Sequence, residues 1–216
     1  LYFNSGNSGG CRPKCLWHDR EGAWLVKFRH TYDPKDIGRM EYKYNEVARK
    51  CGINVPDYKL LDGKYFASKR FDIENGKRLH IATAGALLNE SISNPKLDYK
   101  VLLHLTGYLT QDSQQVDEMF QRMVFNVLTD NKDDHVKNFS FICREGKWSL
   151  APAYDLTLCK EGYHGEHATS ANNKGNPDIE DMLAVGESIR IPRRKGMEII
   201  NHMINHCQEI LSTRFE

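Results

Sequence analysis

No apolar run in the chain is long enough to cross a membrane. The longest candidate, Ile81 to Leu88, is short and interrupted by Gly85, whereas a span requires roughly 18–20 residues. The start carries no basic stretch followed by an apolar core, so no secretory signal and no membrane partner are expected. Charge of one sign is also lacking: 30 Lys and Arg stand against 29 Asp and Glu, for a formal net charge of +1. That balance provides no bulk field for a nucleic-acid backbone, so any role on DNA is expected to be indirect, through a partner. Cys11, Cys15, Cys51, Cys143, Cys159 and Cys207 are scattered and form no CxxC pair. Neither a disulfide framework nor a zinc ribbon is therefore expected, and reduced thiols in a cytoplasmic protein are. Internal repeats and low-complexity segments are absent. The chain begins at Leu1 without a methionine, which reads as a fragment, a processed product, or a chain whose earlier residues are missing.

What is present is ordinary for a globular protein: 216 residues, 40% hydrophobic and 27% charged, enough for one domain or two closely packed lobes. Ser5 to Gly10 forms part of a Gly/Ser/Asn loop, and Ala23–Phe28 reads as a strand. Glu41–Lys50 reads as a helix stopped by Gly52 and Pro56, and Lys59–Leu61 and Lys64–Phe71 as strands joined at Asp62–Gly63. The pattern then turns helical, with one helix over Tyr99–Thr110. The next is marked by Val116, Met119, Phe120, Met123, Val124, Val127 and Leu128, an i, i+3, i+4, i+7 stripe that Asp112 or Ser113 would cap. Short strands at Phe139–Cys143 and Trp148–Leu150 flank the turn Glu145–Gly146, and a last helix is expected from about Gly196 to Leu211. The order predicts an α+β fold with a β-containing lobe over 1–72 and a larger, mainly helical lobe over 73–216.

The segment Asp133-Asp134-His135-Val136-Lys137-Asn138, followed by Asp155, is the most informative. Phosphoryl transfer needs a carboxylate to take the hydroxyl proton, oxygen ligands for magnesium, and positive charge on the nucleotide phosphates. Protein kinases place the catalytic Asp five residues before a metal-binding Asn, with a second metal-binding Asp further on. Asp133, Asn138 and Asp155 have that spacing. Taken alone it is equally the spacing of turn and capping residues. Lys27 ends an apolar strand whose alternation aims it inward, where an ammonium needs an anion. In a kinase the anion is nucleotide phosphate, with a helix Glu holding the Lys, and Glu41 is the candidate. A solvated strand-end Lys is the competing reading. Ser8, Gly9 and Gly10 belong to a loop whose glycines let backbone N–H groups approach phosphates, although it is neither a Walker A nor a GxGxxG match.

These pieces occur in the order of a known family. Gly9–Lys14, Trp24–Phe28, Cys51–Pro56, Lys69–Asp72, Thr129–Ser140 with its Asp-Asp-His-Val-Lys-Asn-Phe-Ser core, Leu150–Asp155 and Gly165–Thr169 together resemble the HipA family of bacterial toxin serine/threonine kinases, including its shorter HipT type. The resemblance covers nearly the whole chain. It implies a two-lobed, protein-kinase-like fold using ATP and Mg2+. Asp133 would be the catalytic base, with His135 behind it orienting the loop, and Asn138 and Asp155 would be the magnesium ligands. Lys27 would contact the α/β-phosphates, Lys69, Arg70 and Phe71 would present backbone to adenine, and Asp72 would reach the ribose. Ser8 or Ser5 would be the autophosphorylated serine of the Gly-rich loop. The implied partners are a protein substrate, an aminoacyl-tRNA synthetase among the family's targets, and a HipB-like DNA-binding antitoxin. The family's small amino-terminal subdomain is missing here, which fits a separately encoded protein or an absent segment.

Two other functions stay open on the residues. Antibiotic and sugar kinases share the Asp…Asn…Asp layout, and a non-catalytic nucleotide-binding module would keep part of it. Glu198, His202 and His206 fall on one face of the last helix and could bind zinc, although a polar helix face explains them as well. His164 and His167 lie in a Gly-containing loop that the resemblance places near the catalytic cleft. Arg190, Arg193, Arg194 and Lys195 read as a solvated turn before that helix.

Overall fold

The structure is a computed structural model and describes residues 12–92 and 97–211. Its elements, in chain order, begin with β1 (Lys14–Asp19), β2 (Gly22–Lys27), α1 (Ile37–Lys50), β3 (Tyr58–Leu61) and β4 (Tyr65–Lys69). A small hairpin of β5 (Ile73–Glu74) and β6 (Lys77–Arg78) precedes β7 (His80–Thr83), α2 (Ala84–Leu88), α3 (Tyr99–Thr110) and α4 (Ser113–Leu128). The chain continues with β8 (Ser140–Arg144), β9 (Lys147–Leu150), α5 (Ile179–Ser188) and α6 (Arg193–Cys207).

β1, β2, β4 and β3 form a four-stranded antiparallel sheet in that order. β1 was not expected. It pairs with β2 from Lys14↔Lys27 to Asp19↔Gly22, and Asp19 fixes the turn by accepting from the Glu21 and Gly22 amides at 2.8 and 3.1 Å. The sheet has a small core of its own, Cys15, Trp24, Val26 and Ala67.

α1 starts one turn earlier than the pattern predicts, at Ile37 rather than Glu41. Gly38 disguises that turn, because glycine weakens a helix interior. Packing requires it there: a Cβ on Gly38 would lie 2.0 Å from the Lys64 carbonyl oxygen. The other face of α1, through Tyr44, Val47 and Ala48, enters the large core built by α3, α4, α5 and α6. The Tyr44 hydroxyl also donates to the Thr129 carbonyl at 2.7 Å, tying α1 to the end of α4. One helix thus serves both the sheet and the helical layer.

The stripe expected on α4 is buried in full, but Arg122, Phe125 and Asn126 are buried as well. α4 is therefore a central helix, enclosed on more than one face. Asp112 caps it by accepting from the Gln114 amide at 2.8 Å. Behind it β7, β8 and β9 form a three-stranded antiparallel sheet. α5, also unexpected, begins with a reciprocal capping box between Asp178 and Asp181. α6 runs Arg193–Cys207, so Arg193 and Lys195 lie in its first turn, paired with Glu180 and Asp117. The fold is α+β, and among the described residues no helix is long and apolar enough to cross a membrane.

Gly38→Ala is expected to cost about 2–3 kcal/mol, because a methyl driven into backbone cannot be relieved by a rotamer change. Urea unfolding followed by circular dichroism measures it; a loss below about 0.5 kcal/mol would show that α1 can shift off β4.

Candidate active site

Lys27, at the end of β2, extends its ammonium between two carboxylates, Glu41 of α1 and Asp155 of the segment after β9. The side chains of Lys27 and Glu41 are 10% and 2% exposed, while that of Asp155 is 35% exposed. Burial alone would strip the Lys27 proton, but Asp155 and Glu41 overcome that and raise its pKa. Burial dominates at Glu41 and raises its carboxyl despite Lys27. At Asp155 burial acts in the same direction, yet Lys27, Lys14 and His135 together hold its carboxyl below the ordinary value. Asp155 also sits at φ 55°, a left-handed conformation that aspartate tolerates better than most residues. The pairing continues outward, since Arg12 lies 3.4 Å from Glu41 and 3.1 Å from Asp33. Five charges therefore alternate in sign: Asp33, Arg12, Glu41, Lys27, Asp155.

Asp133 faces the same region from the loop after α4, with its side chain 57% exposed and Oδ1 3.8 Å from His135 Nε2. Burial raises its pKa, opposed by His135 and Arg12 and reinforced by the charges of Asp155 and Asp134. Asn138 turns its amide nitrogen back to donate to the Asp133 carbonyl at 2.7 Å. This leaves the Asn138 side-chain oxygen available as a ligand. Asp134, by contrast, is buried, accepting from the Tyr99 hydroxyl at 2.7 Å and the Thr169 amide at 3.2 Å, with His167 Nδ1 at 2.9 Å. The chemistry present is a buried ammonium, the half-exposed carboxylate of Asp133, and two side chains, Asn138 and Asp155, that carry hard oxygens.

The family model of the HipA-like C-terminal domain matches residues 6–211. The chain belongs to that family. A curated relative from Sinorhizobium fredii, named "Putative kinase Y4dM", is 27% identical over 169 residues, which is 70% of this chain and 41% of its own. Among solved structures, HipA of the Shewanella oneidensis MR-1 toxin–antitoxin system, in its complex with HipB and operator DNA, aligns with a TM-score of 0.77 at 20% identity. It covers 95% of this chain and 57% of that one. Helicobacter pylori CtkA, described as a proinflammatory kinase, aligns with a TM-score of 0.58 at 14% identity, covering 92% and 90%. These likenesses make the fold kinase-like. The HipA-like chain spans less than two thirds of both Y4dM and the Shewanella structure.

Other expected site residues lie at the end of β4 and just after it. Lys69 ends β4 with Nζ 3.5 Å from Asp57, and its amide, like that of Arg70, already donates within the fold, to Asp57 and Ala23 at 2.8 Å. Asp72 is engaged by the Arg70 guanidinium, with Nε at 2.6 Å, so reaching a ribose would mean exchanging that partner. Phe71 stacks on Tyr154 at 5.8 Å between centroids. Burial pushes the Tyr154 phenol up to about 12, keeping it a donor to the Lys137 carbonyl at 2.5 Å. Ser5, Ser8, Gly9 and Gly10 lie outside the described residues. His164 is exposed. Among the described residues no three His, Cys, Asp or Glu side chains group as metal ligands, Glu198, His202 and His206 included. Asp33 and Tyr99 were missed, and Arg12 and Thr169 were read only as members of the motifs Gly9–Lys14 and Gly165–Thr169, without a role in this site. Only their spatial neighbours distinguish them, and no local spacing marks them.

Lys27→Met is expected to cost about 3 kcal/mol at pH 7, because it leaves the buried Glu41 with only Arg12, 3.4 Å away, to answer its charge. Burial raises the Glu41 pKa even beside Lys27, and losing the ammonium acts in the same direction, so the folded variant takes up a proton more readily than the unfolded chain and its stability rises as pH falls. The deficit should therefore narrow toward pH 5 in denaturant titrations, and a pH-independent deficit would place the cost elsewhere.

Proposed function

We propose that the chain is the catalytic region of an ATP- and magnesium-dependent serine/threonine protein kinase, acting as the toxin of a HipBA-like toxin–antitoxin system in the cytoplasm. Its lobes would divide near residue 72. The observation that carries the reading is Lys27 set between Glu41 and Asp155, in a HipA-family, kinase-like fold that also presents Asp133 and Asn138.

The donor set fits the nucleotide and its metal. Asp155 and the Asn138 oxygen are hard ligands, and magnesium is usually held by one or two protein carboxylates with phosphates completing its shell. Mg-ATP, when bound, supplies the transferable phosphoryl group and neutralises its charge. Lys27 would then turn to phosphate. Of its two carboxylates the more exposed Asp155 is the one that can part from it, while Glu41 stays and aims the ammonium. Asp133 would accept the proton of the acceptor hydroxyl, with His135 beside it balancing its charge. The acceptor would be a cellular protein, such as an aminoacyl-tRNA synthetase, and a serine of the Gly-rich loop, Ser8 or Ser5. Partners would be a HipB-like antitoxin, through which DNA is reached, and an amino-terminal subdomain protein.

Asp133→Asn should lower transfer of labelled phosphate from ATP to lysate protein by at least about 10²-fold while Mg-ATP binding persists. Asp155→Ala should instead weaken magnesium-dependent ATP binding in calorimetry. A wild-type protein that labels nothing, or an Asp133→Asn protein that labels normally, removes the assignment. Burial raises the Asp133 pKa, so the acid limb of the rate profile should lie above the ordinary aspartate value of about 3.9 and vanish in Asp133→Asn. Mass spectrometry after incubation with Mg-ATP should find phosphate on Ser8 or Ser5 in wild type and none in Asp133→Asn.

A further inference from the structure

Beneath Asp133 a hydrogen-bond chain runs in one direction and ends on a carboxylate. Asn131 Nδ2 donates to Asn126 Oδ1 at 2.8 Å, Asn126 Nδ2 donates to the Tyr99 hydroxyl oxygen at 3.0 Å, and that hydroxyl donates to Asp134 at 2.7 Å. The sense is set by charge, because a carboxylate only accepts. His167 must then carry its proton on Nδ1, and its buried Nε2 has no partner among the described residues. The Asp134 and His167 side chains are 0% and 1% exposed. The donors to this carboxylate come from α3 and from the segment 167–169.

The same segment grips the loop backbone. The Thr169 hydroxyl donates to the Asp134 carbonyl at 2.5 Å, and the Ala168 amide to the Lys132 carbonyl at 3.2 Å. On the other side the Lys132 amide donates to the Cys159 carbonyl at 3.1 Å, and the Cys159 amide to the Asp130 carbonyl at 3.0 Å. Lys132 Nζ spans the segment to the Gly165 carbonyl at 2.8 Å and the Asn176 side-chain oxygen at 2.9 Å. Contact is close enough that a Cβ on Gly162 would meet Lys132 Cβ at 2.5 Å. The anchor on Asp133 itself is local, the Asn138 amide on its carbonyl at 2.7 Å, and its half-exposed carboxylate has His135 beside it at 3.8 Å. Its placement is inherited from the residues on either side.

We propose that Asp134, with Thr169 and His167, is a positioning residue that locks the segment 159–176 to the loop bearing Asp133, so that the state of the segment sets the placement of the base. Residues 160–166 are all exposed, so whatever an acceptor does to them is transmitted to Asp133 through this clamp. The catalytic consequence rests on the kinase reading; the coupling does not.

The test compares wild type with Thr169→Val, which removes the hydroxyl donor, and Thr169→Ser, which keeps it. Hydrogen exchange should show the amides of residues 131–134 exchanging about tenfold faster in the valine protein, the size expected for one lost hydrogen bond. Protection in α3 and α4 should be unchanged. Transfer of label to lysate protein should show kcat down about tenfold with KM for ATP unchanged, as for an interaction made only in the transition state. The serine protein should recover both within about twofold. Exchange in the valine protein indistinguishable from wild type overturns the coupling, and so does a uniform loss of protection across α3 and α4. If wild type transfers no label, the kinase reading falls and the exchange result alone decides the coupling.

Discussion

An ammonium removed from water must be answered by negative charge, and Lys27 is answered twice. Its two partners come from distant stretches of the chain, one on α1 and one beyond β9, so satisfying a single cation fixes the sheet, the helix and the helical layer relative to one another. Such a pair is poor evidence for net stability, because desolvation offsets most of the attraction. Its value is positional. Burial on α1 leaves Glu41 no other place to be, and Arg12 with Asp33 extends the alternation outward so that no charge in the row lacks an opposite neighbour.

α1 can carry this duty because it is held on two sides. Gly38 lets it approach the β3–β4 turn at backbone distance, and Tyr44, Val47 and Ala48 seat its other face in the large core. The bond from Tyr44 to Thr129 then connects it to the residue just ahead of the Asp133 loop. The lysine side and the aspartate side of the site therefore share one rigid reference. Rigidity on the far side of the loop comes from polar groups buried beneath it, which must be matched in direction as well as number.

Much of this could be read in the sequence where one periodicity dominates. The α4 stripe, the strand before Lys27 and the hairpin around Glu145–Gly146 follow from side-chain periodicity and turn residues. β1 and α5 did not follow. β1 mixes Lys14, His18 and Asp19 with apolar residues, and the start of α5 is marked by Asp178 and Asp181, which also suit a loop. α1 lost its first turn to a glycine needed for packing. At the site, residue types and spacing pointed to Lys27, Glu41, Asp133, Asn138 and Asp155, and the structure brings Lys27, Glu41 and Asp155 into contact. Their context was not legible. That Arg12 backs Glu41 and that Asp134 faces inward both depend on contacts between segments far apart in the chain, while the Arg70–Asp72 pair is local but carries no spacing that marks it.

The short β5–β6 hairpin lies where the chain passes from one sheet to the other. Its base is closed by the Leu79 amide donating to the Asp72 carbonyl at 2.8 Å, and residues 74–78 are exposed. A loop sealed at its own neck hides its length from the structure on either side, since the two ends leave from the same place whatever lies between. Closure entropy grows only slowly with loop length. Residues 73–78 are thus a place where this chain can gain or lose residues, or accept a foreign tag, without changing the distance between β4 and β7.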